Sequence, residues 1–230
     1  MGRWREPWIG SEAMGIAEAM GIAKVSWLIV AAESREFAGI VKQERAKQSG
    51  WVLLANGPGP KLAAEALNEV LRERRNVDGI VSTGFCGALD PRLGVGDIVV
   101  SGEGVTSPRP FTHGEILSLD RVAVTAAEKR ELRESTGASA IEMESAAVAA
   151  KAREWGVPFR CIKVVSDIAQ EDMPLDFNLY RDSAGRFSRS RIALAAMRHP
   201  LTAIPKLLRL DRNCRHAAEK LGEFFADCTL

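Results

Sequence analysis

Five carboxylates stand where elements of the sequence begin or end. Glu33 and Glu36 follow an apolar run, Glu142 and Glu144 open a segment of helical pattern, and Asp167 closes a second apolar run. Carboxylates in such places can exchange protons with a bound molecule, and five of them converging on one face would make an acid–base site. Glu142 and Glu144 also satisfy a simpler reading, in which acidic residues complement the positive end of a helix. Two glycine pairs, Gly57-Pro58-Gly59 and Gly84-Phe85-Cys86-Gly87, follow strands as well, where glycine lets the backbone approach a ligand or take positive φ. A dinucleotide fingerprint does not fit, because the first pair lacks a third glycine and no acidic residue closes a second strand about twenty positions on.

Bringing those groups together requires strands that end beside one another. The run VSWLIVAA at 25–32 predicts a strand buried on both faces, and 33–44 a helix. A second strand over 51–55 stops at Asn56-Gly57-Pro58-Gly59-Pro60 and leads into a helix in which Leu62, Ala66 and Val70 recur at a spacing of four. Further strands are expected at 77–83, running into a glycine turn at 84–87, at 96–101, and near 115–119, with a short run at 121–124. Thr125-Ala-Ala-Glu128 is a capping box that starts a helix ending at Gly137. Another helix covers 141–155, and 157–166 is the strand that delivers Asp167 into a polar loop. Strands alternating with helices predict an α/β fold on a largely parallel or mixed sheet, with the ligand site at the C-terminal ends of the strands.

From 181 onward the texture becomes helix without strands. Ten Lys and Arg stand against three Asp and Glu over 181–220, so this stretch carries +7 and the remainder of a chain of net charge +1 carries −6. Amphipathic helices are expected there, interrupted by Pro200 and Pro205. With 31 basic and 30 acidic residues overall, nothing in the charge calls for nucleic acid. At 230 residues, 46% hydrophobic and 27% charged, the chain fits an ordinary globular protein. It divides into an extension over 1–24, a body over 25–180 and a basic helical tail over 181–230 packed on that body. The extension nearly repeats itself, AMGIAE then AMGIAK, and no apolar run has the length of a membrane helix. Cys86, Cys161, Cys214 and Cys228 form no C-x-x-C pair, and His113, His199 and His216 have no second ligand at metal spacing. Neither disulfides nor a metal is expected, and a reducing cytoplasm fits.

VSTGFCGALDPRLGVGDIVVS at 81–101 and GASAIEMESAAVAAKAREWGVPFRCIKVVSDIA at 137–169 combine three motifs in order. They are a T-G-x-x-G-x-L turn running into G-D-I-V-V, an E-M-E-S helix start and a V-x-S-D strand end. Together they resemble the purine nucleoside phosphorylase/nucleosidase superfamily over residues 25–172. The resemblance implies a three-layer fold, with a central mixed β-sheet flanked by helices and a helical C-terminal tail. It implies an enzyme that cleaves the N-ribosidic bond of a purine nucleoside without a cofactor, as a homodimer. It assigns the ribose hydroxyls to Glu144, with Met143 packed on the sugar and Glu142 beside them. Asp167, next to Ser166, takes the place of the general acid that protonates N7 of the leaving purine. Glu36 falls on the position that orients the nucleophile, with Glu33 as the alternative because a one-turn shift exchanges them. Gly84, Phe85, Cys86 and Gly87 line the nucleophile end, and Val122 and Ala123 the base.

Two departures from the family pattern bear on substrate. Phosphate-using relatives place an Arg before the glycine turn and a Ser inside it, where this chain has Ser82 and Phe85. A dianion without charge-assisted donors is weakly held, which favours water, with phosphate as the alternative co-substrate should Arg35, Arg92 or Arg109 reach in. The segment between Gly102 and Gly114 is much shorter than in the family, which opens the 5′ end of the nucleoside site to a bulky substituent. The tail, RFSRSRIALAAMRHPLTAIPKLLRLDRNCRHAAEKL at 186–221, resembles the hopanoid-associated branch of the superfamily, linked to release of adenine from adenosylhopane. Its basic helices imply either peripheral contact with the inner face of a membrane or packing on the domain with solvated arginines. The expected activity is cleavage of an adenine-type nucleoside with a bulky or hydrophobic 5′ group. A methylthioadenosine/adenosylhomocysteine nucleosidase is the alternative within the same chemistry, and a non-catalytic nucleoside or lipid binding protein the alternative from another class.

Overall fold

Period-two alternation along strand β1 (Ser26–Ala31) decides how the molecule is layered. Leu28 and Val30 join a buried cluster with Ala63, Leu67, Leu71, Ile80, Val148 and Ala152, whereas Ile29 and Ala31 join one with Val81, Ile162, Leu221, Phe224 and Phe225. A strand that is apolar on both faces needs a layer of helix on each. The computed structural model, which describes residues 26–44, 50–73, 77–182 and 185–230, has both layers. Helices α1 (Pro60–Glu73) and α3 (Ser145–Glu154) cover one face, and α5 (Pro200–Asp227) covers the other. Helices α2 (Ala126–Thr136) and α4 (Arg189–Arg198) complete the set.

Among the described residues the sheet has nine strands, in the order β2-β1-β3-β9-β4-β8-β7 with β5 and β6 leading off β9. The other strands are β2 (Val52–Ala55), β3 (Val77–Ser82), β4 (Phe85–Ala88), β5 (Ile98–Ser101), β6 (Thr112–His113), β7 (Ile116–Ser118), β8 (Ala140–Glu142) and β9 (Phe159–Asp167). The β4–β8 and β5–β9 pairs are antiparallel and the rest parallel, so the sheet is mixed, as the sequence predicts. Strand β9 is central. It pairs with β3 through its first residues and with β4 through its last, where Cys86 lies opposite Val165 and Gly87 opposite Asp167.

Local chemistry fixes α2 where the sequence expects it. The Thr125 hydroxyl accepts from the Glu128 N–H at 3.1 Å, and Gly137 closes the helix with φ of 73°. The Glu128 carboxylate reaches back to the Val124 N–H, one residue beyond the usual partner.

Elsewhere tertiary structure overrides the local pattern. The helix expected over 33–44 is two short 3₁₀ turns, Ser34–Phe37 and Ile40–Lys42. Gly39 lies between them against the backbone of α5, so close that a Cβ on it would stand 1.9 Å from the Ala218 carbonyl oxygen. A Cβ on Gly222 would stand 2.2 Å from the Gly39 carbonyl carbon, and a regular helix with side chains all round does not fit so tight a contact. Gly222→Ala is therefore expected to cost about 3 kcal/mol, the upper part of the overpacking range. This is read as a lower urea midpoint at unchanged m; an unaltered midpoint would mean that the two backbones do not meet in solution.

The glycine turn expected at 84–87 is mostly strand. Gly84 takes positive φ (107°), and Phe85 already begins β4. The helix expected over 141–155 begins only at Ser145, because Ala140–Glu142 is strand β8, held between β4 and β7. Pro200 is the first residue of α5, where its missing N–H has no partner to lose, and Pro205 lies inside the helix without ending it. The C-terminal half of α5 buries Ala217, Ala218, Leu221, Phe224 and Phe225, so this end of the basic region is a wall of the core rather than an appendage. The extension over 1–24, with its repeat, lies outside the described residues.

Candidate active site

The ends of β1, β4 and β9 and the start of α3 border a cavity of about 380 Å³. That is a usual size for a small-molecule site. Every residue to which the resemblance assigns a place in the site lines it except Gly84, which supports it from behind. A Cβ on Gly84 would come within 2.5 Å of Glu36 Oε1, so glycine is what allows that carboxylate its seat.

Glu36 and Glu33 are separated by their surroundings. Glu36 is 5% exposed and accepts from the Phe85 N–H and the Glu33 N–H, both at 2.7 Å. Burial pushes its carboxyl above the usual range, against the pull of the Lys163 ammonium and these two amides. Glu33 is more exposed and pairs with Arg35 at 2.8 Å, with Arg189 at 3.6 Å. The buried, backbone-held carboxylate is thus Glu36.

Three residues of the E-M-E motif have three different settings. Glu142, on β8, accepts from the Ser145 hydroxyl at 2.7 Å, from the Ser145 and Glu144 amides, and from Lys163 Nζ at 3.0 Å. Burial pushes its pKa up, but Lys163 and these donors outweigh it, and the carboxyl is held at about 2. Its acceptor capacity is spent on its own chain. Met143 lines the cavity. Glu144, the N-cap of α3, accepts from the Gly59 N–H at 2.7 Å, which requires the positive φ (95°) that Gly59 adopts. The Gly57–Gly59 turn and the E-M-E motif, separate signals in the sequence, are joined by this bond. Burial, with the charges of Glu142 and Glu36, raises Glu144 to about 7 despite the nearby Lys163.

Lys163 organises this cluster from behind. It is 2% exposed, bonds the Thr83 carbonyl at 2.7 Å, and faces the charges of Glu142, Glu144 and Glu36. Burial lowers its pKa, but the carboxylates dominate and keep it an ammonium.

Asp167 closes β9 on the opposite wall. Its Oδ2 accepts from Lys129 Nζ at 2.6 Å, and Ser166 Oγ lies 2.9 Å from its Oδ1 and 3.2 Å from the Cys86 carbonyl oxygen. Gly87 makes room, since a Cβ there would stand 2.8 Å from Asp167 Oδ2. Burial raises the Cys86 thiol well above its ordinary value, so it stays protonated. Val122 is clamped at both its N–H and its carbonyl by the Asn178 side chain, at 2.9 and 3.0 Å, which fixes the 122–123 loop against the cavity. Among the described residues no group of three or more His, Cys, Asp or Glu could hold a metal ion.

Of the arginines that could serve an anion, Arg92 is bound to Asp90, and Arg109 to Glu223 and Asp227. Only Arg35 of the three borders the cavity. The Phe85 amide at the turn is occupied by Glu36. Apolar side chains complete the lining: Met173, Phe177, Phe187, Ile192, Leu207 and Leu210, four of them from the region beyond 181.

A family model described as the phosphorylase superfamily matches residues 43–108 and 101–196. The chain belongs to the phosphorylase superfamily. The two matched stretches overlap at 101–108. The 5′-methylthioadenosine/S-adenosylhomocysteine nucleosidase of Shewanella oneidensis is 28% identical over 183 residues, 62% of this chain and 77% of that protein. Among solved structures, the nucleosidase of the same name from Neisseria meningitidis, in complex with methylthio-immucillin-A, has a TM-score of 0.60 at 20% identity, covering 87% of this chain and 96% of that one. The futalosine hydrolase of Helicobacter pylori has a TM-score of 0.59 at 15% identity, covering 88% and 96%. These likenesses establish the superfamily's three-layer fold for this chain.

Two buried lysines, Lys129 at the cavity and Lys163 behind it, were not legible as such. Lys163 sits in the run FRCIKVVSD, where a lone cation in a strand buried on both faces demands a buried anion, a signal available but weak. Lys129 falls in the first turn of α2, in a stretch that reads as a solvated helix face.

Proposed function

We propose that the chain is a nucleosidase that uses water to cleave the N-ribosidic bond of an adenine-type purine nucleoside carrying a bulky or hydrophobic 5′ group. The observation that carries this reading is the gathering of Glu36, Glu144 and Asp167 in one cavity, each with its own set of partners. Glu144, fixed by Gly59, accepts the vicinal ribose hydroxyls and supports the ring as it becomes electron-poor, with Met143 against the sugar. Glu36 takes a proton from the attacking water, and Glu33, tied to arginines, stands outside this role. Asp167 serves the leaving purine at N7, beside Ser166, Cys86 and Gly87. Val122 and Ala123 hold the base, and Glu142 anchors the Glu144 turn.

Water is favoured over phosphate by electrostatics. A phosphate dianion at the Phe85 turn would meet the Glu36 carboxylate in place of a free amide, and Arg35 is committed to Glu33. The apolar lining from Phe177 to Leu210 suits a hydrophobic 5′ substituent, as in the nucleosides of the hopanoid-associated branch. The same region supports peripheral contact with an anionic membrane. Leu194, Met197, Leu201, Ile204 and Leu208 are exposed, and no acidic residue occurs between Asp182 and Asp211. No described helix is long and apolar enough to cross a membrane. A homodimer belongs to the same reading, checked by light scattering.

The names of the relatives favour a second reading, cleavage of methylthioadenosine or adenosylhomocysteine. Adenine release from adenosine, methylthioadenosine and a long-chain 5′-alkyl adenosine, each with and without phosphate, tests both. Phosphate-independent release with preference for the long-chain substrate is expected. Preference for methylthioadenosine selects the second reading, ribose 1-phosphate formation overturns the choice of water, and tight binding without release would point to a binding protein.

The rate should also carry the mark of Glu144. Its carboxyl, raised to about 7, is protonated below that pH and loses acceptor capacity for the diol. We therefore expect kcat/KM to rise with pH through about 7, and a flat profile between pH 5 and 8 would exclude an essential anionic Glu144.

A further inference from the structure

We propose that Lys129 is the source of the proton that Asp167 passes to the leaving purine; the inference rests on the nucleosidase reading above. Asp167 is engaged as an anion: its two oxygens face the Lys129 ammonium at 2.6 Å and the Ser166 hydroxyl at 2.9 Å. A carboxylate so paired carries no proton to give. Lys129 borders the same cavity, is 1% exposed, and has its three N–H donors directed at Asp167, the Ile168 carbonyl (2.9 Å) and the Glu171 carbonyl (3.2 Å). The other titratable groups that feel Asp167 are the buried thiols of Cys86 and Cys214, both held protonated by burial; Lys163 and Glu142 also act on Cys86, and Arg35, Glu36 and Asp211 on Cys214. Lys129 is then the group in direct contact with Asp167 that holds a proton it can release.

The step balances as follows. The C1′–N9 bond breaks and its electron pair passes into the purine. A proton moves from Lys129 Nζ to the Asp167 carboxylate and on to N7, leaving a neutral amine and a restored carboxylate. Water bonds to C1′ and gives a proton to Glu36, so adenine leaves neutral, and exchange with solvent then returns the proton from Glu36 to Lys129. Lys129 acts through Asp167 and is a positioning residue; Asp167 is the group that meets the substrate.

The test compares Lys129→Met and Lys129→Gln with the parent on two nucleosides, an adenine nucleoside and its N7-methylated counterpart, whose base already carries a fixed positive charge and leaves without a proton. The glutamine variant keeps donors for the Ile168 and Glu171 carbonyls and so holds the loop should the methionine variant fail to fold. At pH 8 we expect turnover of the ordinary nucleoside to fall by about 10²- to 10⁴-fold, the worth of general acid catalysis, and turnover of the methylated one to stay near the parent's. Equal loss on both nucleosides would make Lys129 a structural strut, and no loss on either would remove it from the reaction; both overturn the proposal. A parent enzyme inactive on both would instead overturn the nucleosidase reading, and this inference with it.

Discussion

Replacing Lys163 by methionine is expected to cost about 3–5 kcal/mol of stability, the range for breaking a buried ion pair by removing one partner. The methionine matches the volume but leaves the carboxyl of Glu142, itself buried, without its counter-ion. The loss should depend on pH in a defined direction. Glu142 is depressed from 4.5 to about 2 in the folded protein, so its contribution is fully present above about pH 4.5 and is lost as pH falls towards 2. The gap between parent and variant is therefore widest near neutrality and narrows in acid. Denaturant melts at pH 7 and pH 4 measure this, and a gap that is the same at both would mean that packing rather than charge accounts for the cost. Because Lys163 also holds down the carboxyls of Glu144 and Glu36, the acid limb of kcat/KM should move to higher pH in any variant that still folds.

Asp167→Asn is the second large effect, this time on rate. The amide keeps the shape of the carboxylate and a hydrogen-bonding oxygen for Lys129, but cannot relay a proton. Turnover of an adenine nucleoside is expected to fall by about 10²- to 10⁴-fold with KM little changed, because the ribose contacts are those proposed for Glu144, on another element. Adenine release under saturating substrate gives the number directly. Turnover equal to the parent's would sink the assignment of Asp167 to the leaving group.

What could be read from the sequence was what is decided locally or by the motif order. Helix α2 announces both its ends, because Thr125 and Gly137 act through bonds within their own turn. The apolar runs of β1, β3 and β9 are legible because burial on both faces leaves an unbroken pattern. Ala140, Ile141 and Glu142 are acceptable in a helix, and only pairing with β4 and β7 makes them strand. The 3₁₀ turns after β1 are equally non-local, since their cause is a helix almost at the other end of the chain. Among the candidate site residues, the carboxylates stood at element ends where chemistry is expected. The lysines that pair with two of them, Lys129 with Asp167 and Lys163 with Glu142, stood inside elements, and only the fold shows what each one faces.

The contact of Gly39 with Gly222 ties the segment carrying Glu36 to the last helix of the chain. Among the described residues all nine strands are complete by Asp167, well before α5 begins. During synthesis the strands thus emerge before α5, the helix on which the segment carrying Glu36 packs through Gly39. A chain that stopped before α5 would keep the amide partners of Glu36 at Phe85 and Glu33 but lack the helix that packs against Gly39.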